Sequence, residues 1–119
     1  MAHILVVDDD RATVDLLTML LEMDGFDVSQ SPRPQAALEL ARANEIDGFI
    51  IDCYLGGFSG LDLVSDIRAD ASLAGKVVIV TSGKDMSEEA EAAGADLFML
   101  KPFSPNELST TLAEYLSRG

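Results

Sequence analysis

The sequence predicts an α/β fold, a doubly wound parallel sheet of five strands with five helices, and three observations carry that expectation. Short continuous apolar runs alternate five times with longer stretches whose apolar residues recur at helical spacing. The runs are rich in Val, Ile and Leu, as strands buried on both faces must be. Consecutive strand–helix–strand units join parallel strands through right-handed crossovers, which places helices on both faces of one sheet.

His3-Ile4-Leu5-Val6-Val7 is the first strand, cut off by Asp8-Asp9-Asp10. Val14, Leu17, Leu20 and Leu21 share the first helical face, with Asp10 placed to cap that helix and Gly25 to end it. Phe26 to Ser29 reads as a weak, partly polar second strand at a sheet edge. Pro32 and Pro34 open the second helix, whose apolar stripe is Ala37, Leu38 and Ala41, up to about Asn44. Gly48-Phe49-Ile50-Ile51 is the third strand and stops at Asp52; a loop from Cys53 to Ser59, holding Gly56 and Gly57, leads to a helix in which Leu61, Val64 and Ile67 share a face. Lys76-Val77-Val78-Ile79-Val80 is the fourth strand and stops at Thr81. Met86 to Ala93 is helical in composition, but its apolar stripe is mostly alanine and should pack lightly. Leu97-Phe98-Met99-Leu100 is the fifth strand, ended by Lys101-Pro102. The last helix opens with Ser104 as N-cap, Pro105 at its first position and Glu107 in its first turn, and Leu108, Leu112, Tyr115 and Leu116 give it a core face.

A chain of 119 residues with 48% hydrophobic residues builds one compact core and leaves no room for a second domain. Eight Lys and Arg against 21 Asp and Glu give a formal charge of −13, which argues against direct binding to nucleic acid or an anionic membrane and favours divalent cations and basic partners. Cys53 is the only cysteine and His3 the only histidine, so neither an internal disulfide nor a structural zinc site can form. No apolar run approaches the ~18 residues of a membrane span, and the start MAHILVVDDD lacks the layout of a secretory signal. A soluble, cytoplasmic protein in a reducing compartment is expected.

In open parallel sheets ligands bind beyond the carboxyl ends of the strands. Those ends carry Asp8 and Asp9 after the first strand, Asp52 after the third, Thr81 after the fourth and Lys101 after the fifth. With the first and third strands adjacent, three carboxylates converge, and carboxylates at ~4–6 Å repel one another unless a cation intervenes. Mg²⁺ answers that repulsion, being a hard ion that takes oxygen ligands and keeps several waters. A metal, a lysine, a hydroxyl and a carboxylate free to act as nucleophile suit phosphoryl transfer.

On these residues the chain resembles the receiver domain of two-component response regulators, of the stand-alone chemotaxis type. The resemblance runs from Ile4 to Leu116 and rests on Val6-Val7-Asp8-Asp9, Asp52 with Gly60 eight residues on, Val80-Thr81-Ser82, Gly94-Ala95-Asp96 and Lys101-Pro102-Phe103, in that order. It implies a flavodoxin-like sheet of strand order 2-1-3-4-5 and a single receiver domain over residues 1–119. Asp52 would accept a phosphoryl group from a histidine kinase or histidine phosphotransfer protein. Asp9 and Asp52 would bind Mg²⁺ directly, the backbone carbonyl of Tyr54 would be a further ligand, and Asp8 would act through water. Lys101 would pair with the phosphoryl oxygens, the Thr81 hydroxyl would move to bond one of them, and Phe98 would turn inward as Thr81 moves. Lys101-Pro102 would be a cis peptide. The fourth helix, fifth strand and fifth helix would form the face presented to a downstream effector or output domain, and the resemblance allows a homodimer through the same face.

Gly56 stands where the family usually has proline, Tyr54 is bulkier than many members carry, Gly83 offers no side chain, and Phe98 lacks a tyrosine hydroxyl. Tyr54 is expected to shield the acyl phosphate partly from water. Asp10 is read as a cap, His3 and Cys53 as structural, and Glu88, Glu89 and Glu91 as a solvated face. The leading function is thus a phosphorylation-controlled switch, a phospho-acceptor domain with self-catalysed phosphotransfer and dephosphorylation. The alternative is a receiver-fold interaction module independent of phosphorylation. A conventional enzyme is disfavoured, because no GxxxxGK[ST], GxSxG or GxGxxG motif is present.

Overall fold

The structure, a computed structural model, describes residues 2–31 and 33–118. Its main elements are β1 (His3–Val7), α1 (Arg11–Met23), β2 (Asp27–Ser31), α2 (Pro34–Ala43), β3 (Gly48–Asp52), α3 (Gly60–Ala69), β4 (Val77–Ser82), α4 (Ser87–Ala93), β5 (Leu97–Leu100) and α5 (Pro105–Arg118). The five strands are all parallel, in the order β2-β1-β3-β4-β5. The expected flavodoxin-like topology is therefore the one observed.

Alternation along each strand divides the core into two layers. Leu5, Val7, Phe49, Ile51, Val78 and Val80 point to one face and meet Ala37 and Ala41 of α2, Leu63, Val64 and Ile67 of α3 and Ala90 of α4. Ile4, Val6, Ile50, Ile79 and Met99 point to the other face, onto Val14, Leu17 and Leu21 of α1 and Leu108 and Leu112 of α5. β3 lies in the middle of the sheet and all five of its residues are buried. Among the described residues no helix is long and apolar enough to cross a membrane.

Boundaries follow pairing rather than side-chain polarity. β2 runs to Ser31, two residues past its expected end, because its backbone pairs with β1 from His3↔Asp27 through Val7↔Ser31. β4 starts at Val77 rather than Lys76 and continues through Thr81 to Ser82, which pairs with Leu100. Met86 is the N-cap of α4 rather than its first residue. The expected loop after β3 contains a two-residue antiparallel ladder in which Tyr54 pairs with Ser59 and Leu55 with Phe58. Gly56 and Gly57 turn it with φ of +52° and +94°, values that residues with a Cβ rarely adopt. Pro34 starts α2; the expected part of Pro32 in opening that helix lies outside the described residues.

Candidate functional site

The carboxyl ends of β1, β3, β4 and β5 meet in one acidic pocket. Asp52 closes β3 and Asp8 follows β1, with exposures of only 9% and 5%. Lys101, the residue after β5, reaches past the end of β4 and places its Nζ 2.5 Å from Asp52 Oδ2 and 3.1 Å from Asp8 Oδ2. One ammonium therefore serves two carboxylates from different strands. The remaining oxygens are also bonded: Asp52 Oδ1 accepts the Tyr54 N–H at 2.8 Å, and Asp8 Oδ1 accepts the Asp10 N–H at 2.9 Å.

Burial pushes the Asp8 carboxyl above its ordinary range, and the hydrogen bonds from Asp10 and Lys101 offset only part of that rise. Burial works against the charge of Lys101, but its bonds to Asp52 and Asp8 outweigh burial and hold the ammonium above the usual lysine value. The pocket thus keeps a firm positive charge between two desolvated acids.

Thr81 is buried and stands in register with Asp52, and its carbonyl accepts the Cys53 N–H at 2.9 Å. Phe98 lies in β5, partly buried against the core layer that carries α4. The Lys101-Pro102 bond is cis, as expected. The start of α3 is pressed onto the acceptor strand: Gly60 N–H donates to the Cys53 carbonyl at 2.8 Å, and a Cβ on Gly60 would lie 1.8 Å from the Asp52 carbonyl oxygen. Only glycine fits there.

The three-carboxylate convergence is met by two residues. Asp9 is exposed and turns toward the hairpin, its Oδ2 standing 3.0 Å from where a Cβ of Gly56 would be. Among the described residues no three His, Cys, Asp or Glu side chains are grouped so as to hold a metal ion. Asp8 and Asp52 come together because Lys101 neutralises both, whereas Asp9 stays exposed to solvent. The donors themselves, three carboxylates and the Tyr54 carbonyl on adjoining segments, are all hard oxygens of the kind Mg²⁺ takes, so the residues fit that ion in chemistry.

Asp10 caps α1 by accepting the Ala12 N–H, His3 bonds Ser29 at 2.7 Å, and Glu88, Glu89 and Glu91 are exposed. Cys53 is buried and its thiol is pushed up to about 11 by burial, with the charge of Asp52 adding to the rise. Two residues beside Tyr54 have no site role in the sequence reading. Lys84 places its Nζ 5.3 Å from the centre of the Tyr54 ring, and Met86 Sδ accepts the Tyr54 hydroxyl at 3.8 Å. Extending the strand-end reading three residues past Thr81 would have reached Lys84; nothing local marks Met86.

The match to known proteins agrees with this architecture. The family model for the response regulator receiver domain matches residues 4–113. The transcriptional regulatory protein YvrH of Bacillus subtilis is 31% identical over 122 residues, covering 98% of this chain and 50% of its own. The DNA-binding response regulator MtrA of Mycobacterium tuberculosis is 33% identical over 119 residues, covering 98% of this chain and 51% of its own. The chain thus spans about half the length of these curated relatives. Among solved structures, a putative response regulator from Chloroflexus aurantiacus superposes with a TM-score of 0.93 at 28% identity, covering 98% of both chains. The chemotaxis protein CheY4 of Vibrio cholerae gives 0.90 at 25% identity, covering 97% of this chain and 98% of its own. With the family model spanning most of its length and the sheet order observed as expected, the chain belongs to the response regulator receiver domain family.

Proposed function

We propose that residues 1–119 form one receiver domain that works as a phosphorylation-controlled switch with Asp52 as the phospho-acceptor. One observation carries the reading: a single Lys101 ammonium is shared by two nearly buried carboxylates at the sheet's carboxyl edge, with Thr81 in register beside them. A pocket that holds anions against a fixed cation is prepared for the charge of a transferring phosphoryl group.

In the transfer, a carboxylate oxygen of Asp52 attacks phosphorus on a phosphohistidine of a histidine kinase or histidine phosphotransfer protein. The P–O bond forms as the P–N bond breaks, its electron pair returns to the imidazole, and solvent supplies the proton. Lys101 is already beside Asp52 and offsets charge on the phosphoryl oxygens. Asp9, Asp52 and the Tyr54 carbonyl would hold Mg²⁺, with Asp8 acting through water; the ion would supply further positive charge. An apolar groove of about 400 Å³ beside Lys101, lined by Leu16, Leu17, Pro102 and Phe103, offers a donor helix a surface to dock on.

The phosphoryl group adds roughly −1.5 to −2 charge and three acceptors. Thr81 shifts to bond it, Phe98 turns inward into the space released, and α4 responds because it is short and buries only Ala90. The face of α4, β5 and α5 then changes toward an effector or output domain, in a cytoplasmic setting. Self-catalysed hydrolysis returns the domain to rest: water attacks phosphorus, the Asp52–phosphorus bond breaks, and inorganic phosphate leaves.

Incubation with Mg²⁺ and acetyl phosphate, followed by intact mass, tests the assignment. Wild type should gain one phosphoryl group and Asp52→Ala none. Absence of Mg²⁺-dependent labelling in a folded wild type would instead favour a module that binds partners without phosphorylation.

A further inference from the structure

The two ends of α4 are held in unequal ways. At its C-terminal end the Arg68 guanidinium, reaching up from α3, donates through Nε to the Gly94 carbonyl at 2.7 Å. The same group donates through Nη1 to the carbonyls of Ala74 and Lys76 at 2.8 and 2.7 Å and through Nη2 to Asp96 at 3.0 Å. Asp96 in turn accepts the Val78 N–H at 2.7 Å, and its own N–H donates to the Val78 carbonyl at 2.8 Å. These bonds tie the turn after α4 to α3, to the segment before β4 and to β4 itself. Gly94 adopts φ +111°, and a Cβ there would lie 2.7 Å from Arg68 Cγ, so the turn takes glycine while Arg68 holds this position.

Among the described residues the N-terminal end has no comparable polar anchor, although the Met86 side chain packs against the core layer that carries α4. Met86, the N-cap, makes no side-chain capping bond, and the Ser87 N–H and hydroxyl both donate to Asp85, two residues back in the same segment. Among the described residues the side-chain polar link from this end to the rest of the fold is the Tyr54 hydroxyl on Met86 Sδ, with Lys84 over the same ring. A guanidinium bond is roughly twice as strong as a neutral one, while a thioether is a weak acceptor.

We propose that Tyr54 is a positioning residue whose hydroxyl latches the N-terminal end of α4 at rest, while Arg68 fixes the C-terminal end as the pivot about which α4 turns. The trigger rests on the phospho-acceptor reading above; the latch and pivot belong to the unmodified chain. Tyr54 is linked to the acceptor through its own N–H on Asp52 Oδ1. When Asp52 becomes a mixed anhydride its carboxyl oxygens are poorer acceptors, and the new phosphoryl charge draws the Lys84 ammonium away from the Tyr54 ring. Both changes loosen the residue that holds Met86.

Amide hydrogen exchange on the whole chain tests this. Without any phosphoryl mimic, Tyr54→Phe should speed exchange at Ala90 and Glu91 about threefold, the worth of one weak hydrogen bond, and leave Ala95 and Asp96 unchanged. Met86→Leu keeps the packing, removes the acceptor, and should reproduce that pattern without adding to it in the double variant. Arg68→Lys should loosen Ala95 and Asp96 instead. In wild type, Mg²⁺ with beryllofluoride should perturb the Lys84–Ala90 segment more than Gly94–Asp96. Equal exchange in Tyr54→Phe and wild type, or loosening at both ends alike, overturns the latch; a beryllofluoride response as large at Gly94–Asp96 overturns the pivot. Should wild type ignore beryllofluoride altogether, the phospho-acceptor reading fails, and the Tyr54→Phe comparison still decides the latch.

Discussion

Replacing Lys101 by methionine keeps the apolar stem and removes the charge that lets Asp8 and Asp52 share a pocket. Hydrogen bonds to charged groups contribute about 1.5–3 kcal/mol each, so the two bonds lost would cost about 3–6 kcal/mol in a fully buried setting. The Lys101 side chain is 25% exposed, and water entering the space it leaves would resolvate the freed carboxylates in part. Halving the cost for that screening gives about 1.5–3 kcal/mol. For a domain of this size each kcal/mol lowers Tm by about 3–6 °C, so Lys101→Met should melt about 5–18 °C below wild type. Far-UV circular dichroism at neutral pH with EDTA is a suitable assay, since the chain has no tryptophan. Adding Asp8→Asn to Lys101→Met removes one of the two anions left facing each other and should recover about 1 kcal/mol or more, a non-additivity read by the double-mutant cycle. A Lys101→Met protein that melts with wild type, or an Asp8→Asn effect that is the same in both backgrounds, would refute the shared-ammonium argument.

The close approach of α3 predicts that Gly60→Ala costs about 3 kcal/mol or more in urea unfolding, because the new methyl must displace the backbone of Asp52; a variant as stable as wild type contradicts the packing. Cys53, with a folded pKa of about 11 against a reference of 9.0, should alkylate with iodoacetamide at pH 8 about a hundredfold more slowly in the native protein than in urea. Because that pKa is raised on folding, the associated stability is fully present below pH 9 and lost as pH climbs toward 11; rapid native labelling would show the thiol to be accessible. Tyr54→Ala should shorten the lifetime of phosphate on Asp52 about threefold or more by opening the mouth of the pocket to water, measured by phosphate release; an unchanged lifetime removes the shielding role.

Much of this protein is written in local pattern. The β-branched runs at Ile4–Val7, Phe49–Ile51 and Val77–Val80 could only be buried strands, their alternation with amphipathic stretches required a parallel sheet, and a parallel sheet puts Asp8, Asp52, Thr81 and Lys101 on one edge. Position along the chain decides those features because they depend on side-chain period and on the handedness of the crossover. Tertiary structure decided the rest. Backbone pairing, blind to polarity, carried β2 onward to Ser31 and opened a small ladder at Tyr54. Charge balance at short range drew Asp8 and Asp52 to one ammonium and left Asp9 in water. The reach of Arg68 to Gly94 and of Tyr54 to Met86 joins residues 26 and 32 positions apart. Such long side chains find partners by competition between solvation and contact once the elements are packed, a competition that no window of sequence contains.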